Sequence, residues 1–234
     1  MRKFLLFDLD GTITDSGPGI RRCAQYALES FGIHETDVAN LNRFVGPPLN
    51  DSFRDFYGLD EKQSIQAVKK YRERYETTGL YENSVIPGIP ELLRTARDAG
   101  YVNVLATSKP EVFAVRILAH FGLPEDFAVV SGADLAGKHV VKSDIIRTAL
   151  ERIQDRFPEE CRDIPGVMKQ CVMIGDRKED VLGAHQVGIP VIGVRFGFAV
   201  PGELEKARAD AIADTPEDVM RAVKKIEGTP EAAG

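Results

Sequence analysis

Cysteine is scarce in this chain: Cys23, Cys161 and Cys171 are an odd number, far apart, and no Cys-x-x-Cys pair is present. A disulfide framework and a structural zinc site both lack their residues. Nor is there an excess of positive charge. Thirty Lys and Arg stand against 36 Asp and Glu, giving a net charge of −6 and a pI near 5.4. That balance argues against a nucleic-acid backbone or an anionic membrane as the main partner, so any basic group that matters must be local, around an anionic ligand. No apolar run approaches membrane-spanning length. The N-terminal run is broken by Asp8 and Asp10, too early for a signal peptide, and a cytoplasmic location is expected. Internal repeats and low-complexity segments are missing too, and the small, polar tail 229–234 is expected to be flexible.

What is present is ordinary globular material: 234 residues, 43% hydrophobic and 28% charged, enough for one large domain or two modest ones. One stretch stands out. Lys3-Phe4-Leu5-Leu6-Phe7 is a short apolar run that leads straight into Asp8-Leu9-Asp10-Gly11-Thr12-Ile13-Thr14-Asp15-Ser16. In an extended segment residues i and i+2 point the same way, so Asp8 and Asp10 reach into one pocket just past a strand end. Two carboxylates that close need a counter-charge, which a hard cation supplies. Mg²⁺ usually takes one or two carboxylates and fills its other positions with water and substrate phosphate. Gly11 permits a sharp turn and Thr12 adds a hydroxyl.

The string Asp8-x-Asp10-Gly11-Thr12-Ile13-Thr14-Asp15-Ser16 resembles the first motif of the haloacid dehalogenase-like (HAD) phosphohydrolase superfamily. The resemblance implies that Asp8 is a nucleophile, carried through an aspartyl-phosphate, and that Asp10 is the general acid/base. A strand-to-turn junction that merely caps and solvates is the plainer reading of a lone Asp-x-Asp, but the full string is far more specific.

Residues 17–84 read as helical. Ile20, Cys23, Ala24, Ala27, Leu28 and Phe31 recur at helical spacing before Gly32; a second helix is predicted over 49–57 and a third over 61–78 with Ile65, Val68, Tyr71 and Tyr75 on its apolar face. No strand pattern interrupts them, so this block is expected to be a small inserted domain. Arg43-Phe44-Val45-Gly46-Pro47-Pro48 forms a stiff loop between helices, with Pro48 placed to open the next one. In HAD phosphatases with a helical C1 cap this loop faces the active site, which implies Arg43 and Gly46 as substrate-binding candidates.

From residue 85 the pattern alternates. Helices are predicted over 89–99, from 111 to about 120, over 142–156, over 179–187 and from 216. Strands are predicted over 102–106, 127–130, 171–174, 190–194 and 211–213, and 158–166 reads as a polar loop. Short apolar strands joined by amphipathic helices mean crossover connections, hence a doubly wound α/β core with a parallel sheet covered on both faces. The expected organisation is a core of 1–16 and 85–228 with a cap of 17–84.

In such sheets the ligand lies outside the carboxyl ends of the strands. Asp8 and Asp10, Thr107, and Gly175-Asp176 all follow predicted strands, with Asp180 at the start of the next helix. By resemblance, Thr107 is the second-motif hydroxyl that binds a phosphoryl oxygen, with the backbone at Ser108 beside it and Thr12 nearby. Gly175-Asp176-Arg177-Lys178-Glu179-Asp180 resembles the fourth motif, whose acids hold Mg²⁺ together with Asp8 and the backbone carbonyl of Asp10. The third-motif lysine has two candidates, Lys138 and Lys142. Lys142 is preferred because it directly precedes a helix, as in the subset resembling 5′-nucleotidases and phosphoglycolate phosphatases.

The implied activity is Mg²⁺-dependent hydrolysis of a small phosphorylated metabolite, phosphoglycolate or a nucleoside monophosphate, by a monomer or homodimer with no nucleic-acid or membrane partner. A phosphomutase of the same superfamily would share every core residue. A non-enzymatic phospho-acceptor would need neither Asp10 nor the helical insert. A haloacid dehalogenase would not need Asp10, and a P-type ATPase would need membrane helices.

Overall fold

The computed structural model describes residues 3–135 and 141–228. The tail 229–234 and the alternative lysine, Lys138, lie outside the described residues. In chain order the first elements are β1 (Lys3–Phe7), β2 (Thr14–Asp15), α1 (Gly17–Glu29), α2 (Val38–Asn42), α3 (Leu49–Tyr57), α4 (Glu61–Tyr75), β3 (Ser84–Val85) and α5 (Ile89–Asp98). There follow β4 (Tyr101–Pro110), α6 (Glu111–His120), β5 (Val129–Ala133), α7 (Lys142–Arg156), α8 (Ile164–Met168) and β6 (Cys171–Gly175). The last are α9 (Lys178–Val187), β7 (Val191–Val194), α10 (Glu203–Lys206), β8 (Ala211–Ala213) and α11 (Pro216–Gly228). The chain divides into two compact units, Met1–Ile13 with Val85–Gly234, and Thr14–Ser84.

The first unit is built on a six-stranded sheet in the order β5-β4-β1-β6-β7-β8, with parallel pairing along it. Alternation along β1 explains why both faces are covered. Phe4 and Leu6 join Val104, Ala106 and Met173 in a buried cluster with Ile145, Ile146 and Ala149 of α7 and Val181 and Ala184 of α9. Leu5 and Phe7 have the opposite parity and are equally buried. On that side Asn103 donates from Nδ2 to the carbonyl of Leu93 in α5 at 3.1 Å. Each such fully buried Leu or Phe contributes about 1.5–3 kcal/mol by area removed from water.

Strand order reverses at β1, which has β4 on one side and β6 on the other. A crevice for a ligand opens at such a point, at the carboxyl ends of the strands. β4 is irregular there. Thr107 faces Gly132, but the next partner pair is Pro110 with Ala133, so Ser108 and Lys109 bulge out of the ladder.

The second unit packs α1 and α3 on α4. α4 opens with a reciprocal capping box: Gln63 N–H donates to Asp60 Oδ1 at 2.8 Å, and Asp60 N–H to Gln63 Oε1 at 3.0 Å. The strands β2 and β3 pair with each other. On the sheet unit itself, Ile86 N–H donates to the carbonyl of Ile13 at 3.0 Å, so the two chain ends of that unit lie side by side.

Several elements differ from the periodicity. α4 ends at Tyr75 rather than at 78, and its buried face is Ser64, Ala67, Tyr71 and Tyr75, while Ile65 is 47% exposed. Small residues occupy the seam with the neighbouring helices in the first half of α4, in place of Ile65 and Val68, while Tyr71 and Tyr75 are buried as predicted. Helix α2 occupies a stretch to which the periodicity assigns no element, just before the Arg43–Pro48 loop, and Asp37 caps it by accepting from Ala39 N–H. The predicted 158–166 loop likewise ends in α8, capped by Asp163. Pro48 is the residue before α3, not its first. β5 begins at Val129, because a 3₁₀ turn at Pro124–Asp126 takes up the approach to it. No helix among the described residues is long and apolar enough to cross a membrane.

Candidate active site

Asp8 follows β1 directly, and its backbone N–H donates to Ile174 O of β6 at 2.9 Å, which fixes it at the crevice. Its side chain is 12% exposed. Lys142, the first residue of α7, places Nζ 2.8 Å from Asp8 Oδ1, 2.7 Å from Asp180 Oδ1 and 3.1 Å from the carbonyl of Ala106 on β4. One ammonium at the start of α7 thus ties together Asp8 after β1, the Ala106 carbonyl of β4 and Asp180 in the first turn of α9. Burial disfavours that ammonium, but the carboxylates of Asp180 and Asp8 outweigh it and hold Lys142 protonated above its ordinary range.

Asp10 points to a different cation. Lys109 Nζ lies 2.7 Å from Asp10 Oδ2, with side-chain exposures of 5% and 16%. Lys109 is a site residue that the sequence reading missed. The alternation that pairs Asp8 with Asp10 also pairs Thr107 with Lys109, and would have pointed to it. Thr107 is buried and its hydroxyl oxygen accepts from Lys109 N–H at 3.2 Å, which ties down the bulge. Ser108 sits half-buried in the same bulge.

Asp176 is fully buried. Its Oδ1 accepts from the Thr12 hydroxyl at 3.3 Å and its Oδ2 from Phe198 N–H at 2.7 Å. The loop after β7 reaches this carboxylate because residue 197 is Gly: a Cβ there would fall 2.3 Å from the carbonyl oxygen of Gly11 and 2.4 Å from Asp176 Cβ. The Gly197-Phe198 backbone is the second feature unassigned from sequence, and close backbone approach leaves no pattern beyond the glycine. Burial, then the negative charges of Asp180 and Asp8, push the Asp176 carboxyl well above its usual range. Burial also lifts Asp180, to about 6, against the pull of Lys142. Asp180 Oδ2 accepts from Arg177 N–H at 3.0 Å.

The family profile described as "Haloacid dehalogenase-like hydrolase" matches residues 5–194. The chain belongs to the haloacid dehalogenase-like hydrolase family. This HAD-like hydrolase is 45% identical over 201 residues, 86% of each chain, to a protein of Pseudomonas aeruginosa named 5′-nucleotidase. It is 36% identical over 234 residues, 99% of this chain and 72% of the other, to the Mycobacterium tuberculosis protein named tyrosine-protein kinase PtkA. Among solved structures, one described as a predicted phosphatase from Clostridium acetobutylicum superposes with a TM-score of 0.87 at 38% identity, over 96% of this chain and 99% of that one.

Asp8, Asp176 and Asp180 each offer this HAD-like hydrolase an oxygen within 4.8 Å of the others. The donors are all hard carboxylate oxygens, which suits Mg²⁺ rather than a thiophilic metal. The charge balance agrees. With all three ionised against Lys142, two negative charges are in excess, the amount that a divalent cation cancels. The side chain of Asp10 stands outside this cluster, on Lys109. Arg43 and Gly46 belong to the helical unit, where the Arg43 guanidinium lies 3.8 Å from the Phe56 ring centroid and Gly46 turns with φ +105°.

Proposed function

We propose that this HAD-like hydrolase is a phosphatase that hydrolyses a small phosphate monoester through an aspartyl-phosphate on Asp8. The observation that carries the reading is the pairing of two carboxylates with two separate lysines at one crevice: Asp8 on Lys142 and Asp10 on Lys109. Lys142 holds Asp8 by Oδ1 at the crevice, which aims the carboxylate at an incoming phosphorus. Its oxygen forms the new O–P bond, the ester O–P bond breaks, and Asp10 in its acid form gives the leaving alkoxide a proton. Asp10, now a carboxylate, takes a proton from water as that water attacks the aspartyl-phosphate. Inorganic phosphate leaves and the Asp8 carboxylate is restored. Thr107 and the backbone N–H of Ser108 orient the phosphoryl oxygens. Mg²⁺ held by Asp8, Asp176 and Asp180 would neutralise phosphoryl charge.

A nucleoside 5′-monophosphate is the first substrate candidate, on the strength of the Pseudomonas relative's name, and phosphoglycolate the second. The kinase-named relative supports a further reading, in which the phosphoryl group on Asp8 passes from a nucleoside triphosphate to a tyrosine hydroxyl instead of to water. The test is phosphate release from nucleoside monophosphates, phosphoglycolate and sugar phosphates, with and without Mg²⁺, for the native chain and Asp8→Asn. Mg²⁺-dependent release that falls on the order of a thousandfold or more in the variant is the expected result. Release that survives in Asp8→Asn would sink the covalent route. Absence of release, with labelled phosphate moving from ATP to a tyrosine peptide, would favour transfer.

A further inference from the structure

Lys109 is among the most deeply buried charged side chains of the described residues, and neither the nucleophile nor the carboxylate cluster accounts for it. Three observations define its position. The break in register between Thr107 and Pro110 lifts Ser108 and Lys109 out of the β4 ladder. The Thr107 hydroxyl oxygen accepts from Lys109 N–H at 3.2 Å, which fixes the bulge from inside. The ammonium then meets Asp10 Oδ2 at 2.7 Å, while Asp10 Oδ1 is buried without a hydrogen-bond partner among the described residues. One carboxylate oxygen is thus held and the other left bare. A group that must exchange a proton with a leaving oxygen and then with water needs this presentation: a fixed rotamer with one unoccupied oxygen.

We infer that Lys109 is the positioning residue of Asp10, holding its carboxylate by Oδ2 so that Oδ1 faces the reacting oxygen in both halves of the reaction. The inference rests on the proposed phosphatase reading. Lys109 does not itself touch phosphorus in this arrangement. Its partner is the acid/base, just as Lys142 is the partner of the nucleophile. Long, rotatable Lys suits the place because the bulge, not the side chain, supplies the rigidity, and a compact ammonium leaves Oδ1 uncovered where a forked guanidinium would take both oxygens.

The test is a double-mutant cycle of Lys109→Met and Asp10→Asn on the native chain, with Lys109→Arg as a fourth variant. Melting curves confirm that each is folded. The readouts are the steady-state level of acid-stable phosphoenzyme, the rate at which isolated phosphoenzyme loses phosphate, and the rate on alkyl against p-nitrophenyl phosphate. Lys109→Met is expected to slow dephosphorylation ten- to a hundredfold, to raise the phosphoenzyme level, and to affect alkyl phosphates more than the nitrophenyl ester, whose leaving group needs no acid. In the Asp10→Asn background it should do almost nothing further, since the two act as one unit. Lys109→Arg should fall between native and Met.

Additive effects in the cycle, or a rise in KM with unchanged dephosphorylation, would overturn the inference and make Lys109 a substrate contact or a structural ion. If the native chain forms no phosphoenzyme and releases no phosphate, it is the phosphatase reading that fails. A native enzyme indifferent to Lys109→Met fails the inference alone.

Discussion

Lys142 carries two ion pairs at once, to Asp8 and to Asp180, and still leaves the carboxylate cluster undercompensated. Asp180 bears part of that cost, its carboxyl being lifted from an ordinary 3.8 to about 6 by burial. The sign follows. A carboxyl whose folded value exceeds its unfolded one stabilises the fold fully below the unfolded value, and that contribution is lost as pH rises through the folded value. Asp180→Asn stays neutral throughout. In EDTA, the variant should therefore gain stability relative to the native chain as pH rises from about 4 to about 7, read as the difference between their denaturant midpoints. Saturating Mg²⁺ should reverse the order at pH 7, because the native carboxylate then has a cation to hold. A constant difference across the window would contradict the burial argument.

At the same scale, Asp8 and Asp10 could be placed from sequence because alternation in an extended strand needs no tertiary information. Lys109 obeys the same alternation after Thr107 but was passed over, since nothing local says that a lysine will be buried. The Phe198 amide was beyond reach altogether. A backbone donor has no side-chain identity to read, and its contact with Asp176 depends on a loop that returns from β7.

Among the elements, β4 shows how a strand serves as both scaffold and site: regular through Thr107, it then breaks register and turns Lys109 toward Asp10. α7 and α3 match their predicted spans because their ends coincide with a Lys142 start and a Gly58 stop in the left-handed conformation. The face of α4 matches the predicted one at Tyr71 and Tyr75 but is shifted by one residue in its first half, for a physical reason. Apolar periodicity detects large side chains, whereas the close seam there is made by Ser64 and Ala67, leaving Ile65 to solvent. What holds α4 at its start is the Asp60–Gln63 capping box. Asp60→Ala should cost about 1 kcal/mol, a fall of about 2–4 °C in melting temperature for a chain of this size. Hydrogen exchange should quicken in the first turns of α4 before it does in β1. Unchanged exchange there would mean that packing alone sets this terminus.

For the whole molecule, the alternation of helix and strand after residue 85 sufficed to expect a parallel sheet, because crossover connections leave few other topologies. The order of its strands was not legible, since pairing partners are set by packing between segments far apart in sequence. The side-by-side placement of Ile13 and Ile86 makes a direct prediction. Replacing Thr14–Ser84 with a short Gly-Ser linker should leave a folded sheet unit, since the large buried cluster around Phe4 and Leu6 draws every member from outside the excised stretch. Circular dichroism and a cooperative thermal transition would report it. A molten chain would show that the helical unit is needed to fold the sheet.

β1 is made before either strand it pairs with, β4 and β6, whose partner residues run from Tyr101 and from Cys171. At about 5–20 residues per second of synthesis, the strand that leads into Asp8 waits on the order of ten to thirty seconds for its second neighbour. Until β4 emerges Phe4, Leu5, Leu6 and Phe7 have no strand to pair with, and until β6 emerges one edge of β1 stays open. During that wait Lys3–Phe7, the strand that carries Asp8 to the crevice, is an apolar segment that a ribosome-associated holdase could bind.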